Sequence, residues 1–266
     1  MYVDKFSLSR KENVFLAKKE LVRSVWAGVN LEGFNMTYPE TETVLNHGKL
    51  TNADPDAIIC ANNLKRGWKY LLANFSEGNP SLDVGFLAKI NEIVAANDSL
   101  DPGNLRTGTG GIGGTSYKPP IKTIEEMAAE LEDVLQTCGA TERALRFFAW
   151  SCKGQFWWDG NKRTSFLGAN KILIESGAGI LLVSTEKLQT FNEVLHEYYE
   201  HDNLIDLIDF LYEEAIEAGP FEESHAINHE QHQVQPINDI AKEAQEASAI
   251  LSESHQPTPH SPSIDR

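Results

Sequence analysis

Apolar residues recur at helical spacing through the first hundred positions of the chain. Apolar side chains at positions 15, 16, 22, 25, 26 and 29 predict one N-terminal amphipathic helix over residues 9–33, with Gly33 as its C-cap. A similar pattern predicts a second helix over residues 54–75. A third is expected over residues 81–98, with Ser81 as its N-cap. The start of the chain is therefore expected to be helical.

The same periodicity resumes after residue 120 and is interrupted once by a run of strand type. Further helices are expected over residues 123–135, 142–152, 161–176 and 203–218. Glycines 177 and 179 end the third of these, and the segment "ILLVS" that follows is typical of a short strand. Thr185 is expected to cap one more helix. The pattern predicts a mainly α fold with one small β element.

Residues 100–120, "LDPGNLRTGTGGIGGTSYKPP", are too rich in Gly and Pro to form a helix, and we expect a hairpin or an ordered loop. The segment contains a formal GxGxxG at positions 108, 110 and 113. A dinucleotide-binding motif needs an apolar strand before it and a helix after it, and this segment has neither. We therefore reject the dinucleotide interpretation.

The composition changes at about Gly219. Residues 219–266 have few large apolar side chains and many Glu, Gln, His, Ser and Pro, which predicts a mostly disordered acidic and His-rich tail. Within it, residues 237–251 are able to form a helix, especially on a partner. His225, His229 and His232 would share one face of a helix and bind a metal, but a solvated tail is the favoured interpretation because a segment without a core does not preorganise ligands.

Composition limits the class of protein. The 266 residues are 41% hydrophobic, which suits a packed globular chain. The net charge of −16 argues against a protein that wraps nucleic acid, although a local basic pocket still suits a nucleotide. No apolar run approaches the roughly 18 residues of a membrane span and no leader is visible, so we expect a cytoplasmic protein. The spacing of Cys60, Cys138 and Cys152 supports neither a disulfide framework nor a zinc site.

The sequence "DGNKR" at residues 159–163 stands where a helix is expected to begin. Gly160 permits a tight turn, after which the N–H groups of a helix start would bind phosphate. Lys162 and Arg163 would add cationic donors that Asn161 orients, and Asp159 would give an oxygen ligand for Mg²⁺. The alternative is an ordinary N-cap by Asp159 or Asn161, with both cations in solvent.

The surrounding sequence resembles the Fic/Doc (Fido) family. "QFWWDGNKRTSFLGANKIL" is similar to its motif, H-x-F-x-[DE]-[GA]-N-[GK]-R, and "GNLRTGTGGIGGTSYKPPIKTIEEM" to its flap hairpin and the next helix. "ERALRFFAW" and "GAGILLVSTEKLQTFNEVLHEYY" resemble the helices before and after the motif, so that the likeness covers about residues 60–215. It implies a Fic domain over residues 51–218, which is a helical bundle with a small β-hairpin flap. An N-terminal helical region at residues 1–50 would precede this domain.

The resemblance also implies an activity. Members transfer AMP, or less often another phosphate-containing group, from ATP or another nucleotide to a protein hydroxyl. By position, Asp159 would hold Mg²⁺ and Gly160 to Arg163 would form an anion hole for the nucleotide phosphates. The flap from Arg106 to Tyr117 would align a segment of an unknown target protein by β-augmentation. Lys162 is the Doc-like residue at its position, which leaves AMP and phosphate transfer both open.

Three positions depart from the family pattern. Gln155 stands in place of the histidine that takes the proton of the attacking hydroxyl, and a neutral amide does not take a proton. Trp157 replaces the motif phenylalanine, which is a tolerable exchange of aromatic side chains. Phe166 replaces a second arginine that binds the outer phosphates in many AMP-transferring members, so we expect weaker binding of a triphosphate.

"GVNLEG" at residues 28–33 resembles the family's self-inhibitory motif, [ST]-x-x-x-E-[GN]. Glu32 and Gly33 match it, and Gly28 replaces the hydroxyl residue. The glutamate's usual partner, the second arginine, is absent here. Glu32 therefore either meets Lys162 or Arg163 or is a plain carboxylate at a helix end, and the second alternative is the favoured one.

Two functional hypotheses remain. The first is a nucleotidyl- or phosphotransferase with a degenerate site, and the second is a catalytically impaired pseudoenzyme that binds nucleotide or protein as a regulator. Gln155 and Phe166 favour the second, whereas Asp159, Asn161 and Arg163 favour the first. On either hypothesis, Arg163→Ala is expected to abolish nucleotide binding that depends on Mg²⁺, and Gln155→His is expected to raise transfer.

Overall fold

The computed structural model describes residues 2–51, 53–75, 81–137 and 139–225. Helices and two short strands follow in the order α1 (Arg10–Lys19), α2 (Leu21–Leu31), α3 (Tyr38–His47), α4 (Pro55–Asn74), α5 (Val84–Val94), α6 (Ile124–Leu135), α7 (Ala140–Gly154), α8 (Asn161–Ser176), β1 (Ile180–Leu181), α9 (Leu188–His201), α10 (Leu204–Ala215), β2 (Ile216–Glu217) and α11 (Glu222–His225). The fold is mainly α, as the hydrophobic pattern predicts.

Helix α8 lies at the centre of the fold and packs against α7, α5, α4, α1 and β1. Most of its side chains are buried, including polar ones. Asn170 exchanges two hydrogen bonds of 3.0 Å with the backbone of Leu181. The ammonium of Lys171 is 3.0 Å from Glu175 and 4.9 Å from the ring centre of Phe75. Because buried polar groups need partners, these contacts allow α8 to be enclosed on every side.

The N-terminal helix predicted over residues 9–33 is two helices, α1 and α2, that meet at Glu20. Ser9 caps α1 in a capping box with Glu12, and Gly33 follows the end of α2 with φ 92°. No Gly or Pro marks the joint. The division has a tertiary cause, because α1 packs on α8 and β1 while α2 packs on α3 and α4.

Helix α3 was absent from the sequence prediction although its signals are present. Thr37 and Glu40 form a capping box, a proline follows in the first turn, and Gly48 ends the helix with φ 75°. Other boundaries moved by a few residues. Asp83, rather than Ser81, caps α5, and a 3-10 turn at Thr185–Lys187 precedes α9.

The one described sheet lies apart from the predicted flap. Ile180 and Leu181 pair with Glu217 and Ile216 in antiparallel register. Residues 106–117 form an ordered loop, so the loop alternative is correct and the hairpin alternative is wrong for the described structure. A single bridge between Leu105 and Trp157 joins the start of this loop to the turn before α8.

The first fifty residues share one hydrophobic core with the helices that follow. The predicted tail departs from expectation at its start, because Gly219–Phe221 forms a 3-10 turn that leads into α11, and the ring of Phe221 packs edge-on against Phe15. The rest of the tail, with the helix expected at 237–251 and the metal-binding alternative for His229 and His232, lies outside the described residues. The side chain of His225 lies outside them too.

Cys60 and Cys152 are buried free thiols, in agreement with the sequence, and Cys138 is outside the described residues. Burial raises the pKa of each described thiol to about 12, with Arg163 acting in the opposite direction on Cys60 and Ser165 on Cys152. Among the described residues, no helix combines the length and the apolar character needed to cross a membrane.

Candidate functional site at the start of α8

The segment between α7 and α8 carries the residues singled out in the sequence. Helix α7 ends where Gln155 turns into the left-handed region, with φ 43°. Gly160 then adopts φ 73°, and α8 begins at Asn161 without a side-chain cap. A Cβ on Gly160 would stand 2.9 Å from the Cβ of Ala95, so both the backbone and the packing require glycine here.

Two asparagines brace this turn. Asn161 accepts from the N–H of Trp157 at 3.0 Å and donates to its carbonyl at 2.9 Å. Asn91 of α5 donates to the carbonyl of Asp159 at 2.9 Å and to Thr164 Oγ1 at 3.1 Å. Asn161 therefore shapes the loop from within rather than orienting the two cations that follow it.

The guanidinium of Arg163 points into the protein and is 4% exposed. Its Nη1 donates at 2.7 Å to both the Val94 carbonyl and Asp98 Oδ2, and its Nη2 donates at 2.8 Å to Asp159 Oδ1. Burial lowers the pKa of Arg163, but the charge of Glu32 and the other carboxylates outweigh burial and raise it. Carboxylates and a carbonyl accept from its Nη groups in this arrangement, and the role of Arg163 as a phosphate donor stays a prediction.

A cavity of roughly 490 Å³ lies on the other side of the α8 start. Gln155, Asp159, Gly160, Asn161 and Lys162 line one side of it, and the rest of its lining comes from α9, from the 106–117 loop, and from Glu32. This volume is within the range of small-molecule sites. The uncapped first turn of α8 opens on it, and such a turn is a general anion-binding feature.

Lys162 faces this cavity and is half-buried. Its Nζ donates to the carbonyl of Leu31, the last residue of α2, at 3.0 Å. Glu32 follows directly, and its Oε1 is 3.9 Å from Lys162 Nζ while its Oε2 is 3.8 Å from Arg163 Nε. Glu32 therefore lies close to both Lys162 and Arg163, which was the less favoured of its two alternatives. The interpretation of Glu32 as a plain carboxylate at a helix end is incomplete.

Asp159 keeps access to the cavity although it pairs with Arg163. Its side chain is 46% exposed, and its Oδ1 also accepts from the N–H of Gly160. Among the described residues, no cluster of three His, Cys, Asp or Glu side chains is suited to hold a metal ion. A single accessible carboxylate fits Mg²⁺ that takes its other ligands from phosphate and water.

Gln155 lines the cavity, but its amide bonds back to its own helix. The Nε2 group donates to the carbonyl of Cys152 at 2.8 Å. The backbone carbonyl of Gln155 accepts from Arg106 Nε at 2.5 Å. The side chain is therefore held by contacts that involve no acid or base.

The loop over residues 106–117 is fixed at its base by Arg106, which is buried. The guanidinium donates to four carbonyls, those of Gln155, Gly108, Pro119 and Pro120, at 2.5 to 2.8 Å. Burial lowers the pKa of Arg106, and the nearby Tyr117 acts in the opposite direction. The bonds join both ends of the loop to the turn at Gln155, so this loop covers the cavity from a fixed base.

Helix α9 holds the tip of the same loop, which the sequence analysis did not foresee. His196 Nε2 is 2.9 Å from the Gly114 carbonyl, and Glu200 accepts from both the N–H and the hydroxyl of Ser116. Asn192 and His196 also line the cavity. Polar residues at 192, 196 and 200 repeat at intervals of four, which was the available sequence signal for one face of a helix.

Phe166 lies in an apolar environment. Its ring centre is 4.6 Å from that of Phe148 and 5.9 Å from that of Phe191. With Gly28 it also lines a small second cavity of about 40 Å³ between α2, α4 and α8. Two of the positions that depart from the family pattern, 28 and 166, thus meet at this small cavity, which Arg163 also lines.

Comparisons with known proteins give a match at the level of the fold. No family model matches the sequence. No curated protein matches it either. Solved structures do match. Fic-1 from C. elegans aligns at 20% identity over 72% of this chain and 58% of that chain, with a TM-score of 0.59.

Two bacterial structures give the same result. A Fic domain containing signalling protein from Bacteroides thetaiotaomicron aligns at 16% identity over 77% of this chain and 86% of that one, with a TM-score of 0.60. A Fic family protein from Desulfovibrio desulfuricans aligns at 18% identity over 76% of this chain and 62% of that one, with a TM-score of 0.53. The chain spans less than two thirds of the C. elegans and Desulfovibrio chains. The likeness shows that this chain has a Fic fold.

Proposed function

We propose that this Fic-fold protein binds a nucleotide with Mg²⁺ in the cavity at the start of α8 and transfers a phosphate-containing group to a hydroxyl of a target protein. The observation that carries the proposal is the cavity itself. It is lined by the uncapped first turn of α8, by the accessible carboxylate of Asp159 and by the ammonium of Lys162. These are the groups that bind and neutralise a phosphate.

The contacts at the α8 start assign different roles to neighbouring residues. Lys162 and the first-turn N–H groups bind phosphate oxygens, and Asp159 would hold Mg²⁺, whose charge would screen the phosphates from Glu32. Arg163 binds no ligand in this account, because it holds Asp98 and Asp159 in place. Among the described lining residues, the ligand therefore meets one cation, and Phe166 gives its outer phosphates none.

Glu32 acts as a regulatory residue of this site. It lies within 3.9 Å of Lys162 and 3.8 Å of Arg163, and its Oε1 is buried without a hydrogen-bond partner among the described residues. A carboxylate at this position opposes the entry of a phosphate by like charge. We expect Glu32→Gln to tighten nucleotide binding by about tenfold or more, since one opposing unit charge at about 4 Å is worth on the order of 1 kcal/mol even in bulk water.

A target protein docks at the loop over residues 106–117 in this proposal. The loop is fixed at its base by Arg106 and lines the cavity through Gly111, Ile112, Gly113 and Thr115. An extended target segment beside it would have its hydroxyl within the cavity. The target's identity does not follow from these contacts, and the cytoplasmic location remains a prediction from the sequence.

The second candidate function is a nucleotide- or protein-binding regulator without transfer. Gln155 favours it, since its amide donates to the Cys152 carbonyl and has no proton-accepting group of useful basicity. Loss of a general base typically lowers a rate by about 10²–10⁴, whereas phosphate positioning survives such a loss. The transferase and the nucleotide-binding form of the regulator share the binding step. They differ in whether a group is then transferred to a protein.

Calorimetric titration with ATP, ADP and other nucleotides, with and without Mg²⁺, tests the shared part. We expect binding that depends on Mg²⁺ and weakens about tenfold in Lys162→Ala, as for the loss of one charged hydrogen bond. Lys69→Ala, which removes an exposed lysine of α4, is the matched control. Absence of binding to the native protein would contradict the transferase and the nucleotide-binding regulator, and would leave the protein-binding regulator.

Label transfer from α-³²P-ATP and γ-³²P-ATP to protein distinguishes the transferase from the regulator. Transfer from the α-labelled nucleotide alone indicates AMP transfer, and transfer from the γ-labelled nucleotide alone indicates phosphate transfer. We expect Gln155→His to raise either one by about 10²-fold or more, because it restores a general base. Binding without any transfer, even in Gln155→His, would favour the regulator.

A further inference from the structure

We infer that His196 of α9 is the group that takes the proton of the attacking hydroxyl, in place of the side chain that Gln155 replaces. The inference rests on the proposed function and names a further catalytic residue for it. It is carried by the position of His196 in the wall of the same cavity that Gln155, Asp159 and Lys162 line.

The hydrogen bond of His196 determines which ring nitrogen is able to take up a proton. Its Nε2 is 2.9 Å from the carbonyl oxygen of Gly114. A carbonyl oxygen only accepts, so the Nε2 must carry the hydrogen of this bond. In the neutral ring, Nδ1 then holds the lone pair. A backbone carbonyl that fixes the tautomer in this way is a recurring device for orienting a histidine that acts as a base.

The nitrogen-bearing and hydroxyl groups elsewhere in the cavity do not offer this chemistry. The amide of Gln155 is not basic, and Lys162 is a cation bonded to the Leu31 carbonyl. Tyr199 also lines the cavity, but burial raises the pKa of its hydroxyl well above the usual value, so it donates rather than accepts a proton near neutral pH.

The two carboxylates of the cavity are engaged by cations. Asp159 accepts from Arg163 Nη2 at 2.8 Å and is the proposed Mg²⁺ ligand. Glu32 is within 3.9 Å of Lys162 as well as Arg163. Among the described cavity-lining residues, His196 is the one imidazole.

Charged groups of several elements line this cavity or lie close to it. Glu200 lies one turn further along α9, and Lys118, which follows the loop, approaches Gly111. Glu32, Asp159 and Lys162 line the same cavity from α2 and the start of α8. A proton taken up by the ring therefore enters a site with both signs of charge, from which it passes to solvent through the exposed side of His196.

The proposed step balances as follows. The hydroxyl oxygen of the target attacks phosphorus, and its proton moves to Nδ1 of His196. A P–O bond forms to the target oxygen, and the P–O bond to the leaving part of the nucleotide breaks, with its electron pair remaining on the leaving oxygen. The imidazolium then loses its proton to water. Nothing is oxidised or reduced.

The test compares label transfer by the native protein, His196→Gln and His196→Ala, with His201→Ala as the control. His201 lies on the same helix, is exposed and pairs with Glu197 away from the cavity lining. We expect a loss of about 10²-fold or more in both His196 variants and no change in the control. His196→Gln keeps an amide donor for Gly114, so a merely structural role would be rescued in this variant and proton transfer would not.

Three further measurements make the outcome decisive. The pH profile of the native rate is expected to change in both His196 variants, because the proton acceptor is removed. Gln155→His combined with His196→Gln is expected to regain transfer, because the base then stands at position 155. Calorimetry is expected to show unchanged nucleotide binding in His196→Gln.

Equal rates in the native protein and His196→Gln would overturn the inference and leave the proposed function intact. No native transfer beside an active Gln155→His variant would overturn the inference and native group transfer together, and would leave nucleotide binding as the supported part. Absence of nucleotide binding would overturn the proposed function itself, and the inference with it.

Discussion

The first turn of α8 has an interior side and a cavity side, and two adjacent cations divide between them. Arg163 is 4% exposed and bonds to Asp98, Asp159 and the Val94 carbonyl. Lys162 is 29% exposed, bonds to one carbonyl and lines the cavity. Successive residues of a helix point about 100° apart, which separates the two environments.

The difference shows that one short motif builds both a scaffold and the wall of a cavity. The interior side fixes the turn through a buried ion-pair cluster, whose loss leaves charges without partners. The cavity side keeps its cation and its N–H groups accessible to a ligand. Substitutions on the interior side are therefore expected to change stability, and those on the cavity side to change binding.

The largest expected effect comes from Arg163→Ala. It removes a buried guanidinium from Asp98 and Asp159, whose side chains are 27% and 46% exposed, so we expect a loss near the lower end of the about 3–5 kcal/mol that breaking a fully buried pair costs. The free energy of unfolding from urea denaturation measures the loss. Arg163→Lys is the matched variant, and we expect it to recover part of the stability because one charge remains. Wild-type stability in Arg163→Ala, together with lost nucleotide binding, would place this arginine on the cavity side instead.

A smaller loss of unfolding free energy is expected for Gly160→Ala. The backbone has φ 73°, and the new Cβ would lie 2.9 Å from Ala95 Cβ. A non-glycine residue in this region costs about 1–3 kcal/mol before the clash is counted. Gly113→Ala is the control, since its Cβ would meet nothing within 4 Å. Equal unfolding free energies for these two variants would contradict the geometry of the turn.

Lys162→Ala tests the cavity side of the first turn of α8. Its partly exposed contacts to Leu31 and Glu32 are worth less than about 1 kcal/mol, so stability is expected to change little. Nucleotide affinity is expected to fall about tenfold. Thermal denaturation and calorimetry on the same samples give both values. A large loss of stability with unchanged affinity would reverse the assignment of the two cations.

The smallest effect concerns the contact of the loop with α9. Hydrogen bonds from the hydroxyl and then the N–H of Ser116 hold the pKa of the Glu200 carboxyl below its usual value. The contribution of this contact is therefore present above the ordinary glutamate pKa and is lost as pH falls through the lowered one. The amide proton shift of Ser116 in an NMR titration should follow this change, and Glu200→Gln should remove it. A shift insensitive to acid would mean that this contact does not form.

Much of the fold was predictable because local signals agree with it. The apolar periodicity and the capping residues located most helices, and the bounds of α8 were predicted as found. The division of α1 from α2 was not predictable, because Glu20 carries no breaking signal and the joint depends on what each helix packs against. The capping box at Thr37 was readable and was overlooked.

The site was predictable in position but not in orientation. The sequence located the turn at Gly160 and the approach of Glu32 to the cations as one of two alternatives. It gave no means to tell that Arg163 points inward, since that depends on Asp98 and on Val94 of α5, which are 65 and 69 residues away. His196 was missed for the same reason. Its nearness to the motif arises from the packing of α9 and the loop, not from sequence spacing.

A crystal structure of the protein with Mg²⁺ and a bound nucleotide tests the central claim most directly. The account predicts phosphate oxygens against the N–H groups of the first turn of α8 and the ammonium of Lys162, with Asp159 at the metal. Arg163 is predicted to keep its bonds to Asp98 and the Val94 carbonyl. A phosphate bound by the Arg163 guanidinium, or a nucleotide bound outside this cavity, would contradict the account.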